Sequence, residues 1–172
     1  MKFAIANAYK IMEDRVVILF FFSARGVDLE KSTIGTYRLL LLQLLNEPRL
    51  QHVFDSLGLS TSNMGIDHQW SFELLKTMLR KAIKRLRKSS VVCFIDALDE
   101  CEERQIQDIV SFFKQIGELT LLDGIRFWIY FASRHYPHIT IQKGLGLVLE
   151  RQEGHDRDIA DYLESKLKIG KS

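Results

Sequence analysis

The sequence predicts an α/β fold, a parallel sheet with helices on both faces in three layers, and three observations carry that expectation. Val91-Val92-Cys93-Phe94-Ile95 is a short, β-branched apolar run that leads into Asp96, Asp99 and Glu100. The stretches Val16–Ser23 and Ile125–Ala132 repeat the pattern, each too apolar for a surface strand and each ending in polar residues. Runs of this kind are strands buried on both faces, as in parallel sheets covered by helices. Amphipathic segments separate them, and alternation of strand and helix is the rhythm of right-handed βαβ units.

In order along the chain, Met1, Ile5, Ala8 and Met12 fall at helical spacing, so the sequence opens inside a helix with no cap before it. The first strand follows and ends at Ala24-Arg25-Gly26. Ser32 or Thr33 caps a helix that carries the leucine run Leu39–Leu42 and stops near Pro48; apolar nearly all round, it should be buried. Gln51 to Gln69, with Gly58, Gly65 and several serines, reads as an irregular connection. Ser71 caps the next helix, whose inner stripe is Leu75, Met78, Leu79, Ala82, Ile83 and Leu86. Its basic residues, Arg80, Lys81, Lys84, Arg85, Arg87 and Lys88, point outward or flank its end. They read as a solvated face rather than a nucleic-acid contact, because cations in the last turns suit the helix dipole and no aromatic stacking pattern accompanies them. After the acidic strand, Ile106, Ile109, Val110, Phe113 and Ile116 mark another helix, closed by the Asp123-Gly124 turn. Beyond the third strand, Leu147–Leu149 reads as a short fourth strand and Asp156 as the cap of a last helix.

Composition narrows the class. The 172 residues are one domain's worth of chain, 47% hydrophobic and 27% charged, with a net charge of +2 that is too small to argue for a nucleic-acid or membrane partner. No apolar run reaches membrane length and no signal peptide is visible, and the two cysteines, Cys93 and Cys101, have no framework around them; a reduced, cytoplasmic protein is expected. His135 and His138 straddle a proline as loop histidines, and no zinc spacing or nucleophile elbow occurs.

The chemistry gathers at the carboxyl end of the acidic strand, where open α/β sheets place their ligands. Three carboxylates on one turn repel one another unless a cation lies among them, and Mg²⁺ carried in on a nucleotide phosphate is the natural candidate. The stretch then reads as a Walker B element, with Asp96 holding the metal through water and Asp99 or Glu100 polarising the water that attacks the terminal phosphate. The plainer reading is an exposed acidic turn after a core strand.

Several pieces together resemble one family. Phe20-Phe21-Phe22-Ser23-Ala24-Arg25-Gly26, Tyr37-Arg38, Phe94-Ile95-Asp96-Ala97-Leu98-Asp99-Glu100-Cys101, Ala132-Ser133-Arg134 and Gly154–Ile159 before Tyr162-Leu163 are similar to the NACHT domains of fungal NOD-like receptors and the related nephrocystin N-terminal-like NTPase domain. The resemblance implies a P-loop NTPase of the signal-transducing (STAND) class that binds ATP or GTP with Mg²⁺, switches conformation and oligomerises, between an upstream effector and downstream repeats. It places Ser133 and Arg134 at the sensor position beside the terminal phosphate, where a guanidinium stabilises charge. One departure stands out: no Gly-x-x-x-x-Gly-Lys-Ser/Thr pattern occurs in the 172 residues. The expectation is therefore a single partial domain, residues 1–172, without the first strand and the phosphate loop of that family, weak in nucleotide binding and inactive as an enzyme. Its rival is a pseudo-NTPase serving as an interaction or oligomerisation domain.

Overall fold

The computed structural model describes residues 2–11, 15–50, 70–86, 90–134 and 145–146. The chain divides into two compact units, Met1–Ile139 and Thr140–Ser172, and every element described below belongs to the first. The expected connection from Gln51 to Gln69, the strand at Leu147–Leu149, the helix after Asp156, the two loop histidines and the basic residues Arg87 and Lys88 lie outside the described residues.

Helix α1 (Lys2–Ile11) leads into strand β1 (Arg15–Phe21). A four-residue turn of helix, α2 (Asp28–Lys31), precedes α3 (Thr33–Leu45), and α4 (Phe72–Arg85) brings the chain to β2 (Ser90–Asp96). After a 3₁₀ turn at Leu98–Glu100, α5 (Glu103–Leu122) leads to β3 (Arg126–Phe131). The sheet is all parallel in the order β1-β2-β3, with Phe21 level with Asp96 and Phe131 level with Ile95. This is an open, Rossmann-like α/β sheet.

Strand alternation sorts the apolar residues onto two faces. Val16, Ile18 and Phe20 of β1 and Val91, Cys93 and Ile95 of β2 join the inner sides of α3, α4 and α5 in the main core. Val92 and Phe94 face the other way, onto Ala8 and Ile5 of α1, so helices cover both faces. The central strand is buried from Ser90 to Ile95, which is why its sequence shows no alternation.

The cap signals act locally and hold. Ser32 Oγ accepts from Gly35 N at 3.2 Å and Ser71 Oγ from Leu74 N at 3.3 Å. Gly124, at φ 67°, follows the last turn of α5 as the Asp-Gly signal required. Gly35 has a different reason: a Cβ there would lie 1.6 Å from the main-chain oxygen of Leu29, so α2 can cross the first turn of α3 only above a glycine.

Three expectations need correction. The third strand is half exposed rather than buried on both faces, because it is the outer strand of the described sheet. Tyr130, 50% exposed, stacks on Phe94 at 5.1 Å, and Trp128 is covered by the Arg15 guanidinium at 4.8 Å. The leucine-rich α3 buries Tyr37, Leu40, Leu41, Leu44 and Leu45 but leaves Ile34 and Leu39 exposed. The basic face of α4 is not all solvated. Arg80 lies over the Phe112 ring at 5.6 Å, while Lys84, with its side chain 43% exposed, pairs with Asp123 at 3.5 Å on the solvated side as expected.

Candidate functional site

The carboxyl ends of the three strands form one rim. At the end of β2, Ala97 takes the left-handed conformation, φ 53° and ψ 42°, and is the one non-glycine residue with positive φ among those described. That conformation costs an L-residue about 1–2 kcal/mol, and here it reverses the chain abruptly. The 3₁₀ turn then closes with Glu100 N donating to Ala97 O at 2.9 Å and Cys101 N to Leu98 O at 3.2 Å. Leu98 is driven fully into the core, which leaves the acids on either side of it at the rim.

Main-chain bonds stitch this turn to both neighbours. Phe22 N donates to Asp96 O at 3.1 Å, Ala132 N to Ile95 O at 2.9 Å, and Leu98 N to Ala132 O at 3.0 Å. The three carboxylates each take a different donor. Asp96 Oδ1 accepts from Ala97 N at 2.9 Å, and its other oxygen has no partner among the described residues. Glu100 Oε2 accepts from Ala24 N at 2.6 Å, beyond the end of β1. Asp99 accepts from the main-chain N–H of Arg134 at 2.9 Å and forms an ion pair with Arg134 Nε. The Asp99 side chain is 4% exposed while that of Arg134 is 77% exposed.

Burial acts to raise the Asp99 carboxyl, but the two donors of Arg134 and its charge outweigh it and hold the carboxyl below its ordinary value. The guanidinium is correspondingly held above its ordinary value by the Asp99 bond and charge. Ser133 Oγ donates to Arg134 O at 2.9 Å, fixing the main chain next to the clasp. Cys101, buried behind the turn, has its thiol pushed up to about 11 by burial and is protonated at neutral pH, so it offers no thiolate to a metal or an electrophile.

The structure thus places Asp96, Asp99, Glu100, Ser133 and Arg134 along one rim. It also shows contacts that the sequence alone did not: the clasp between Asp99 and Arg134, and the reach of Glu100 to the end of β1. The positive group set against this turn is a guanidinium on Asp99, while main-chain N–H groups serve the other two acids. A Ser-Arg pair directly after a strand was the available signal, but a partner 35 residues away leaves no local trace.

The fold and rim define the class first: a parallel, Rossmann-like α/β domain with an acidic turn at the carboxyl end of its central strand. The family described as Nephrocystin 3, N-terminal, matches residues 1–134, which take in the three described strands, the turn, Ser133 and Arg134, and the chain belongs to that family. No curated protein and no solved structure matches.

Proposed function

We propose that this domain is a nucleotide-binding module of a NOD-like-receptor-type signalling NTPase, taking a Mg²⁺-bound ATP or GTP at the rim. The observation that supports it most is the end of β2, where Asp96 keeps one oxygen without a partner among the described residues, one strand away from an exposed guanidinium. Crevices beyond the carboxyl ends of parallel strands are the ordinary ligand position of such sheets. The donor set suits a metal that arrives with its ligand. Mg²⁺ is typically held by one or two carboxylates, several waters and substrate phosphates, and the described residues contain no group of three or more His, Cys, Asp or Glu that could hold a metal ion alone.

In this reading Asp96 holds the ion through its water shell. The ion, when bound, would neutralise phosphate charge. Glu100 is the better candidate to orient an attacking water, because both oxygens of Asp99 are engaged by Arg134. Asp99 instead holds Arg134 in place, with Ser133 supporting the main chain beside it, so that the outer guanidinium nitrogens would be left for a terminal phosphate. With no Gly-Lys-Ser/Thr loop in these 172 residues, the N–H cradle and lysine that supply most phosphate affinity are lacking, and binding by this chain is weak.

A second reading, an interaction domain without nucleotide chemistry, is favoured by the mutual satisfaction of Asp99 and Arg134, which leaves the rim stable with nothing bound. Titrating isotope-labelled chain with Mg²⁺-ATP and Mg²⁺-GTP separates the two. Nucleotide binding predicts amide shifts at Ala97, Asp99, Glu100 and Arg134 that weaken without Mg²⁺ and vanish in Asp96→Ala. A rim that does not respond to either nucleotide refutes this function and leaves the interaction domain.

A further inference from the structure

Strand β1 is the outer strand of the described sheet on the side opposite β3, and its outer edge, which no described strand pairs, carries apolar residues. Phe22 N donates to β2, so the even-numbered residues of this strand turn their main-chain groups inward and Val17, Leu19 and Phe21 turn theirs outward. Both outward groups of Leu19 are occupied by one side chain. Leu19 N donates to Gln43 Oε1 at 2.9 Å, and Gln43 Nε2 donates back to Leu19 O at 2.7 Å. Gln43 Nε2 also reaches the Leu39 carbonyl of its own helix at 3.2 Å, which pins the carboxamide in place. A carboxamide that both accepts and donates at one strand residue reproduces the bonds a neighbouring strand would make there.

We infer that Gln43 is an edge guard: its carboxamide fills the strand-docking position on β1 and keeps a second copy of this chain from adding a strand there. The partner kept out is a copy because the strand Val16-Val17-Ile18-Leu19-Phe20-Phe21 has no proline and no charge after Arg15, the composition in which like strands pair edge to edge. Phe21, 44% exposed at the end of the strand, offers the apolar contact that would reinforce such pairing. A net charge of +2 gives copies little mutual repulsion. Natural edge strands are more often protected by a lysine, a bulge or a covering helix; here a glutamine inside a leucine-rich helix does it.

The test compares wild type with Gln43→Leu, which keeps the bulk and removes the bonds, by sedimentation across a concentration series. The variant is expected to self-associate at lower concentration than wild type, while its Leu19 amide exchanges roughly tenfold faster in the dilute protein. Val17→Pro added to Gln43→Leu removes an outward N–H without touching the β2 ladder, and the double variant should sediment as wild type does. Sedimentation of Gln43→Leu identical to wild type overturns the inference, and so does association that persists in the double variant, since it would run through another surface. If Gln43→Leu does not fold, Gln43→Met, equal in length and more flexible, is read in the same way. Unfolding of both would make Gln43 a core residue and overturn its role as a guard.

Discussion

Arg134 holds Asp99 twice, from its main-chain N–H at 2.9 Å and from its side-chain Nε on the second carboxylate oxygen. Burial alone would raise the Asp99 carboxyl; the donors from Arg134 bring it below the ordinary 3.8. A carboxyl lowered on folding contributes stability that is complete above its unfolded value and is lost as pH falls through the folded one. Asp99→Ala is therefore expected to cost about 1–3 kcal/mol at neutral pH, towards the low end because the guanidinium lies in water. In urea unfolding, the gap between this variant and wild type should close as pH falls well below 3.8. Arg134→Ala keeps the main-chain donor and should cost less.

Ala97 makes the turn at a conformational cost that glycine would not bear. Ala97→Gly removes about 1–2 kcal/mol of left-handed strain and returns about 0.4–1 kcal/mol through a more flexible unfolded chain. The expected net is neutral to about 1.5 kcal/mol stabilising. Ala97→Val, β-branched at a positive φ, should destabilise by roughly 2 kcal/mol or more. Equal midpoints of chemical unfolding for the two variants would contradict the backbone geometry.

Two helical glycines make opposite predictions. A Cβ at Gly117 meets nothing within 4 Å, so Gly117→Ala should stabilise α5 by about 0.5–1 kcal/mol through helix propensity. At Gly35 the same methyl group would meet the Leu29 carbonyl oxygen at 1.6 Å and must force α2 away from α3. Gly35→Ala is expected to lose about 1–3 kcal/mol in spite of its propensity gain. Thermal unfolding of the pair side by side is the check.

Asp108 joins three helices from α5. It takes Lys76 Nζ at 2.8 Å and the Tyr37 hydroxyl at 3.3 Å, while the ammonium lies 4.0 Å from the Phe72 ring centre. Asp108→Ala leaves a lysine only 13% exposed without its anion, at an expected cost of about 1–3 kcal/mol. The larger penalties of fully buried pairs do not apply, since Asp108 is itself 38% exposed. Burial, together with the charge and bond of Asp108, pushes the Tyr37 hydroxyl far above its ordinary 10.0. Spectrophotometric titration should therefore show no ionisation of Tyr37 until alkali unfolds the chain, and Tyr37→Phe should leave the absorbance change before unfolding unaltered.

What the sequence made legible depended on how local each cause was. Ser32, Ser71 and Asp123-Gly124 act on main-chain groups within four residues, and all three appear where expected. The strand cores were equally plain, because burial of β2 on both faces erases alternation from its sequence. The exposure of β3 was not, since an apolar run carries no mark of how much of the strand its surroundings cover. Gln43 drew no reading from the sequence: it is a single amide among leucines, and nothing nearby could identify Leu19 as its partner. At the rim the acids were visible, but the donors to Glu100 and Asp99 were not, because Ala24 and Arg134 come from distant parts of the chain.

That distance predicts an order in time. The tie from Asp99 to Arg134 closes a sequence separation of 35 residues, and the tie from Glu100 to Ala24 closes one of 76. A doubling of loop length adds only about 0.6 kcal/mol of closure entropy, but contacts at long separation are made slowly. The unit β2-α5-β3 can close on itself while β1 is still searching for its place. The clasp is then expected to form first, with the acidic turn half-anchored until the bond of Glu100 to Ala24 marks the arrival of β1.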